Sequence, residues 1–300
     1  IFDRRLLLRR RDRAAMAARS LRDVSADFLL GRVVEDLGDR LSMINRQFRR
    51  VLNLGAHTGA LGRALRGRDG VEVVIDADSS PAMLAACDGP SVLCDEEALA
   101  FGRGAFDLVA SALALQHVND LPGTLIQLRR CLEPDGLFIG ALLGGQTLHE
   151  LREVLFEAEI EVSGGASPRV APFADVRELG ALLQRAGFAL PVADTYAMTA
   201  TYETMFDLMG DLRAMGATNT LVERRPTPPP RALFVRAAEL YSQRFAEADG
   251  RIRATFEVVT LTGWSPDDSQ PKPLRPGSAT ARLADALGTV ERPLGPRSES

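Results

Sequence analysis

Apolar positions along this chain follow two patterns that take turns. Short continuous runs come first: Val51-Leu52-Asn53-Leu54, Val71–Asp78, Ser91–Cys94, Phe106–Ser111 and Leu137–Leu142. Runs of this length without alternation are typical of strands covered on both faces. Between them, apolar residues recur at spacings of three and four. Leu125, Leu128 and Leu132 share the inner side of a helix over Pro122–Leu132, and Ser79-Ser80-Pro81 opens another, with proline where a missing N–H costs little. Glu133-Pro134-Asp135-Gly136 reads as a turn. Five strands alternating with helices predict a parallel sheet whose C-terminal strand ends lie on one edge, where such folds bind ligands.

Outside that stretch the rhythm differs. Ile1 to about Arg50 reads as helical; within it, Leu29, Val33, Leu37, Leu41 and Ile44 form one face of a helix over Phe28–Phe48. This head is either a helical cover of the sheet or a lid over the first strand's turn. Helices are predicted over Thr147–Glu161, Asp175–Ala186, Tyr202–Met215 and Arg231–Ala246, and late strands over Phe188–Thr195 and Arg253–Trp264. The domain plan is a helical cover at 1–48, a ligand-binding body at 49–264 with helical insertions near 143–170 and 200–248, and a proline-rich tail at 265–300.

The turn after the first strand, Leu54-Gly55-Ala56-His57-Thr58-Gly59-Ala60-Leu61-Gly62, carries the candidate chemistry. Glycines there let a ligand approach the backbone, and a helix start offers free N–H groups. The dinucleotide spacing is absent, because His57 stands where its middle glycine would be. Asp78 ends the second strand 23 residues beyond Gly55, the placement of a carboxylate that binds ribose hydroxyls. Asp95, followed by Glu96, ends the third strand, as an adenine reader or a plain loop acid, and Ser111 ends the fourth.

Charge is uneven. The first fifty residues hold 13 arginines against 7 acids, and the remainder carries −10 of the total of −4. A solvated helix face explains the basic head, with peripheral contact to anionic lipid as the alternative. The acidic body argues against a nucleic-acid partner. Cys87, Cys94 and Cys131 lack metal or disulfide spacing, which predicts no metal centre and a reducing, cytoplasmic setting. No apolar run is long enough to span a bilayer.

Taken in order, the glycine turn, Asp78-Ser79-Ser80-Pro81-Ala82-Met83-Leu84, Asp95 with Leu99 and Phe101, Phe106-Asp107-Leu108-Val109 and Leu132–Gly136 resemble class I S-adenosylmethionine (SAM) dependent methyltransferases. Within that class the chain most resembles the mitochondrial complex I assembly factor 5 family and its bacterial relatives. The residues concerned are Ile1–Arg4, Val118–Pro122, Phe138–Ala141, Gly144–Arg152, Ser167–Phe173, Asp211–Gly216, Gly263-Trp264 and Gly277–Thr280.

The resemblance implies a Rossmann-like α/β fold, seven strands in the order 3-2-1-4-5-7-6 with the seventh antiparallel, and SAM as cofactor. Asn53, Gly55, Ala56, His57, Gly59, Asp78, Ser79, Met83, Asp95, Glu96 and Ser111 fall on the family's cofactor positions, with backbone contact at Gly55 and Gly59, ribose at Asp78, adenine at Asp95 with the Glu96 backbone, and methionine near Ser111. Three positions depart from the usual motif: Asn53 replaces its acid, and Ala56-His57 replaces Cys-Gly. His117, just past the fourth strand, is the candidate catalytic base, against a packing role.

The implied activities are methyl transfer to a protein side chain or carrier-borne group, as in the malonyl-carrier-protein methyltransferases of biotin synthesis, or hydroxylation of an arginine on a respiratory complex I subunit. The implied partners are accordingly such a subunit or an acyl carrier protein. A non-catalytic assembly scaffold, working in the cytoplasm or at the inner face of the membrane, is the remaining alternative.

Overall fold

The computed structural model describes residues 1–21, 27–271, 285 and 288–290. It divides into two units, Ile1–Asp267 and Asp268–Ser300. All elements below belong to the first. Gly277–Thr280 and most of the predicted tail lie outside the described residues.

The head forms two helices, α1 (Arg4–Leu21) and α2 (Phe28–Ser42). The helix predicted to reach Phe48 ends at Ser42, and beyond it Arg46 is drawn to Glu133 and Asp135. The body then runs β1 (Arg50–Leu54), α3 (Ala60–Arg66), β2 (Val73–Asp78), α4 (Pro81–Leu84), β3 (Ser91–Leu93), β4 (Phe106–Ala112), a short 3-10 turn at Leu115–His117, α5 (Leu121–Cys131) and β5 (Leu132–Leu143). It continues with α6 (His149–Ser163), α7 (Val176–Arg185), β6 (Ala189–Tyr202), α8 (Met205–Ala214), α9 (Arg231–Phe245) and β7 (Ile252–Trp264).

The strands form one sheet in the order β3-β2-β1-β4-β5-β7-β6. The first five pair in parallel and β7 runs antiparallel between β5 and β6. This is the expected class I topology. Successive side chains of a strand point to opposite faces, and both faces are covered. Leu108, Ala110 and Ala112 of β4 pack with α2, α6, α8 and α9, whereas Phe106 and Val109 pack with α5 and α7.

Two further predictions are corrected. Glu133–Gly136 is not a free turn but part of β5: Asp135 takes a left-handed φ of 58°, and its backbone bonds to Ser265, so turn geometry sits inside a bulged strand. β6 extends to Tyr202, past the predicted Thr195, because β7 pairs with it over the whole length and supplies its backbone partners.

Candidate functional site

At the end of β1 the chain doubles back sharply. Gly55 and Ala56 N–H both donate to Ala77 O, at 2.8 and 3.1 Å, and Gly55 and Gly59 adopt φ of 70° and 82°. A Cβ on Gly55 would lie 2.1 Å from the Ala114 Cβ, so the turn is pressed against the loop after β4. Only glycine fits there.

The strand ends meet at this turn. Asp78 is fully buried, and its Oδ2 accepts from His57 N–H at 3.0 Å and Arg11 Nη2 at 2.6 Å, while Oδ1 accepts from Ser80 N–H at 2.8 Å. Glu96 is 1% exposed and pairs with Arg4, with Arg11 3.5 Å away. Ser79 Oγ reaches Glu96 at 3.4 Å, and Met83 packs under α1 against Ala14 and Ala15. Asp95 points outward: its side chain is half exposed and holds Arg4 at 2.8 Å. Glu96, not Asp95, is thus the carboxylate turned into the site.

Asn53 lies one layer below the turn, fully buried, with Nδ2 donating to Asp76 Oδ1 at 2.7 Å. Asp76 is also fully buried and pairs with Arg66. The charge expected at position 53 therefore sits on the neighbouring strand, in register with it. Asn53 Oδ1 and Ser111 Oγ are buried with no partner among the described residues.

A cavity of ≈ 290 Å³ opens beside the turn. His57, Gln116 and His117 line it on the sheet side, and Leu151, Met209 and Phe234 line it from α6, α8 and α9. Both histidines are neutral at physiological pH. Burial, then the nearby Arg11 guanidinium, lowers each to about 3. His57 Nε2 lies 3.1 Å from Ala112 O, which places the ring proton there and leaves Nδ1 toward Arg11 at 3.4 Å. His117 rests edge-on against Phe2, and its Nδ1 has no partner among the described residues. Three non-glycine residues on this wall, His57, Leu113 and Leu148, hold left-handed φ of 50°, 52° and 53°. Strain of this kind gathers where a site over-determines the backbone.

Residues 52–140 match a family model described as a methyltransferase domain. The arginine-hydroxylase NDUFAF5, mitochondrial, of Danio rerio is 38% identical over 291 residues, 95% of this chain and 89% of that protein. The chain belongs to the NDUFAF5 family. The human member is 38% identical across 100% of this chain and 87% of its own length. A malonyl-[acyl-carrier protein] O-methyltransferase of Gallionella capsiferriformans is 35% identical, over 82% of this chain and 86% of that one. Among solved structures, the YcgJ protein of Bacillus subtilis shares the fold, with a TM-score of 0.55 at 15% identity over 78% of this chain and 99% of that one.

This family member is a SAM-dependent methyltransferase-like enzyme, and SAM is its cofactor. Its residues fit that ligand. Asp78 supplies the carboxylate at the end of β2, the Gly55 turn admits close backbone approach, and Asn53 Oδ1 and Ser111 Oγ are unsatisfied on the same edge. Four participants were not foreseen as such: Arg4, Arg11, Asp76 and the side chain of Glu96. Arg4, Leu7, Arg11, Ala14 and Ala15 follow one another at helical spacing, so two arginines fall on the inward stripe of α1. That stripe was the available signal.

Proposed function

We propose that this enzyme modifies a protein-borne or carrier-borne acceptor seated in the cavity beside the glycine turn, and that the modification is methyl transfer. The observation that carries this reading is the buried Asp78 carboxylate, bound by the turn's own His57 N–H next to that cavity. When bound, SAM supplies an electrophilic methyl group, so the protein's task is chiefly alignment and exclusion of water. Asp78 would hold the ribose and Glu96, with Ser79 and Met83, would border the adenine. The Gly55–Gly59 backbone with Asn53 and Ser111 would hold the methionine end.

The aliphatic wall from α6, α8 and α9 suits an acyl chain or the stem of a long side chain. His117 Nδ1, unpartnered among the described residues, would carry the proton of the neutral ring and donate a hydrogen bond to the acceptor, orienting it. Its low basicity suits orientation better than proton removal, so an already ionised acceptor, such as a carboxylate, fits best.

A second reading follows the full-length relatives named arginine-hydroxylases. Asp27 lines the same cavity beside Thr58, at 3.3 Å, and is placed to receive a substrate guanidinium. An acyl carrier protein or a respiratory complex I subunit are the corresponding partners. No helix among the described residues is long and apolar enough to cross a membrane. The exposed Arg5, Arg9 and Arg13 of α1 support a cytoplasmic enzyme that works against the inner face of a membrane.

Titration calorimetry with SAM tests the cofactor site. Asp78→Ala is expected to weaken binding at least about a hundredfold, as loss of a buried charged acceptor does. Mass spectrometry of the two candidate partners after incubation then separates the readings, by a mass gain of one methylene or of one oxygen. Unchanged binding in Asp78→Ala would refute the site.

A further inference from the structure

The α1 helix does more than cover the sheet, because its polar side chains end on the carboxylates that a nucleoside needs. Arg11 Nη2 lies 2.6 Å from Asp78 Oδ2, and its other amino group lies 3.5 Å from Glu96. Arg4 spans Asp95, at 2.8 Å, and Glu96. Asp12, the residue next to Arg11, accepts through Oδ1 from Ser80 Oγ at 2.5 Å, a second anchor on the loop after β2.

A carboxylate offers about four acceptor positions. On Asp78, His57 N–H and Arg11 take both of those on Oδ2, and Ser80 N–H takes one on Oδ1. One remains, and a ribose that presents two vicinal hydroxyls needs two. The Arg11 head also stands between Asp78 and the His57 ring, 3.4 Å from Nδ1, in the space bordering the turn.

We propose that α1 is a displaceable strap, in which Arg11 competes with the ribose hydroxyls of SAM for Asp78 and must withdraw before the cofactor is held. The proposal rests on the cofactor reading of Asp78. It makes cofactor affinity a property of α1's docking as well as of the site: apparent affinity is the intrinsic affinity multiplied by the fraction of molecules with the strap open. Any partner that draws the arginine-rich face of α1 toward itself would raise that fraction.

The test uses the full chain, SAM calorimetry and amide hydrogen exchange over residues 4–18. Arg11→Gln is expected to bind SAM about tenfold more tightly, corresponding to a strap open about a tenth of the time in the parent. Asp12→Ala, which loosens α1 without touching Asp78, is expected to bind about threefold more tightly. In the unaltered protein, saturating SAM is expected to speed exchange in α1. Equal or weaker binding by Arg11→Gln, or slower exchange of α1 with SAM, overturns the strap while leaving the cofactor site intact. Absence of SAM binding in every form overturns both. Should Arg11→Gln fail to fold, the Asp12→Ala affinity and the exchange of the unaltered protein decide the matter alone.

Discussion

Restoring the methyltransferase motif's usual acid, by Asn53→Asp, should harm this protein. Asn53 Nδ2 lies 2.7 Å from Asp76 Oδ1, both residues are fully buried, and Arg66 already balances Asp76. Two carboxylates at that distance would repel by ~6 kcal/mol at an effective dielectric of about 20. Keeping one proton bound at pH 7, on a carboxyl whose unfolded pKa is about 3.9, costs only ~4 kcal/mol. The variant should therefore fold with a proton shared across the pair, which also restores a donor where the amide stood. The raised folded pKa fixes the sign of the pH dependence. The penalty grows as pH rises above about 3.9, from roughly 1.5 kcal/mol at pH 5 to ~4 kcal/mol at pH 7. Urea denaturation of both proteins at the two pH values reads this difference directly. A loss that does not change with pH, or one below about 1 kcal/mol at pH 7, would refute the argument that Asp76 has taken over the motif's charge.

Other outcomes follow from the same geometry. Gly55→Ala meets both the Ala114 Cβ at 2.1 Å and a φ of 70°, and should destabilise by about 3 kcal/mol, seen as a lower Tm that Ala114→Gly partly recovers. His57 and His117, lowered to about 3, should show no imidazole titration by NMR near pH 6.5. Because the unfolded chain binds those protons and the folded one does not, stability should decline as pH falls from about 6.5 toward 3, by up to ~1.4 kcal/mol per pH unit for each ring. A titration near 6.5 assigned to either of these two rings in the folded protein would contradict their buried, Arg11-facing placement.

The sheet was legible because its strands are continuous apolar runs separated by helix-spaced segments, and the positions of Asp78 and Ser111 follow from strand ends alone. The bulge in β5 was not, since Glu133–Gly136 has turn composition and lies inside the strand because Leu132 and Leu137 on either side pair with β4, while Asp135 and Gly136 bond to Ser265, over a hundred residues away in sequence. Nor was the length of β6, an Ala- and Thr-rich edge strand whose registry is imposed by β7. At the site, spacing located the acids but not their occupants. Arg11 reaches Asp78 across 67 residues of chain, and nothing local to either residue encodes the meeting. Asp95 and Glu96 follow the end of β3 as neighbours, and only the fold shows that Glu96 is buried while the Asp95 side chain is half exposed.

The left-handed residues His57, Leu113 and Leu148 bear on how this protein can be altered. Each holds a backbone conformation that costs an L-residue about 1 kcal/mol or more, and glycine at those positions would remove that cost. At Leu113 and Leu148 that gain is outweighed, because both side chains are buried in the core and removing one leaves a cavity that costs about 2–5 kcal/mol. Each change would also remove a side chain from the cavity wall and free the loop that carries it. Backbone strain and side-chain packing are thus tied together at these positions, and a thermostable variant should be sought among surface positions away from them.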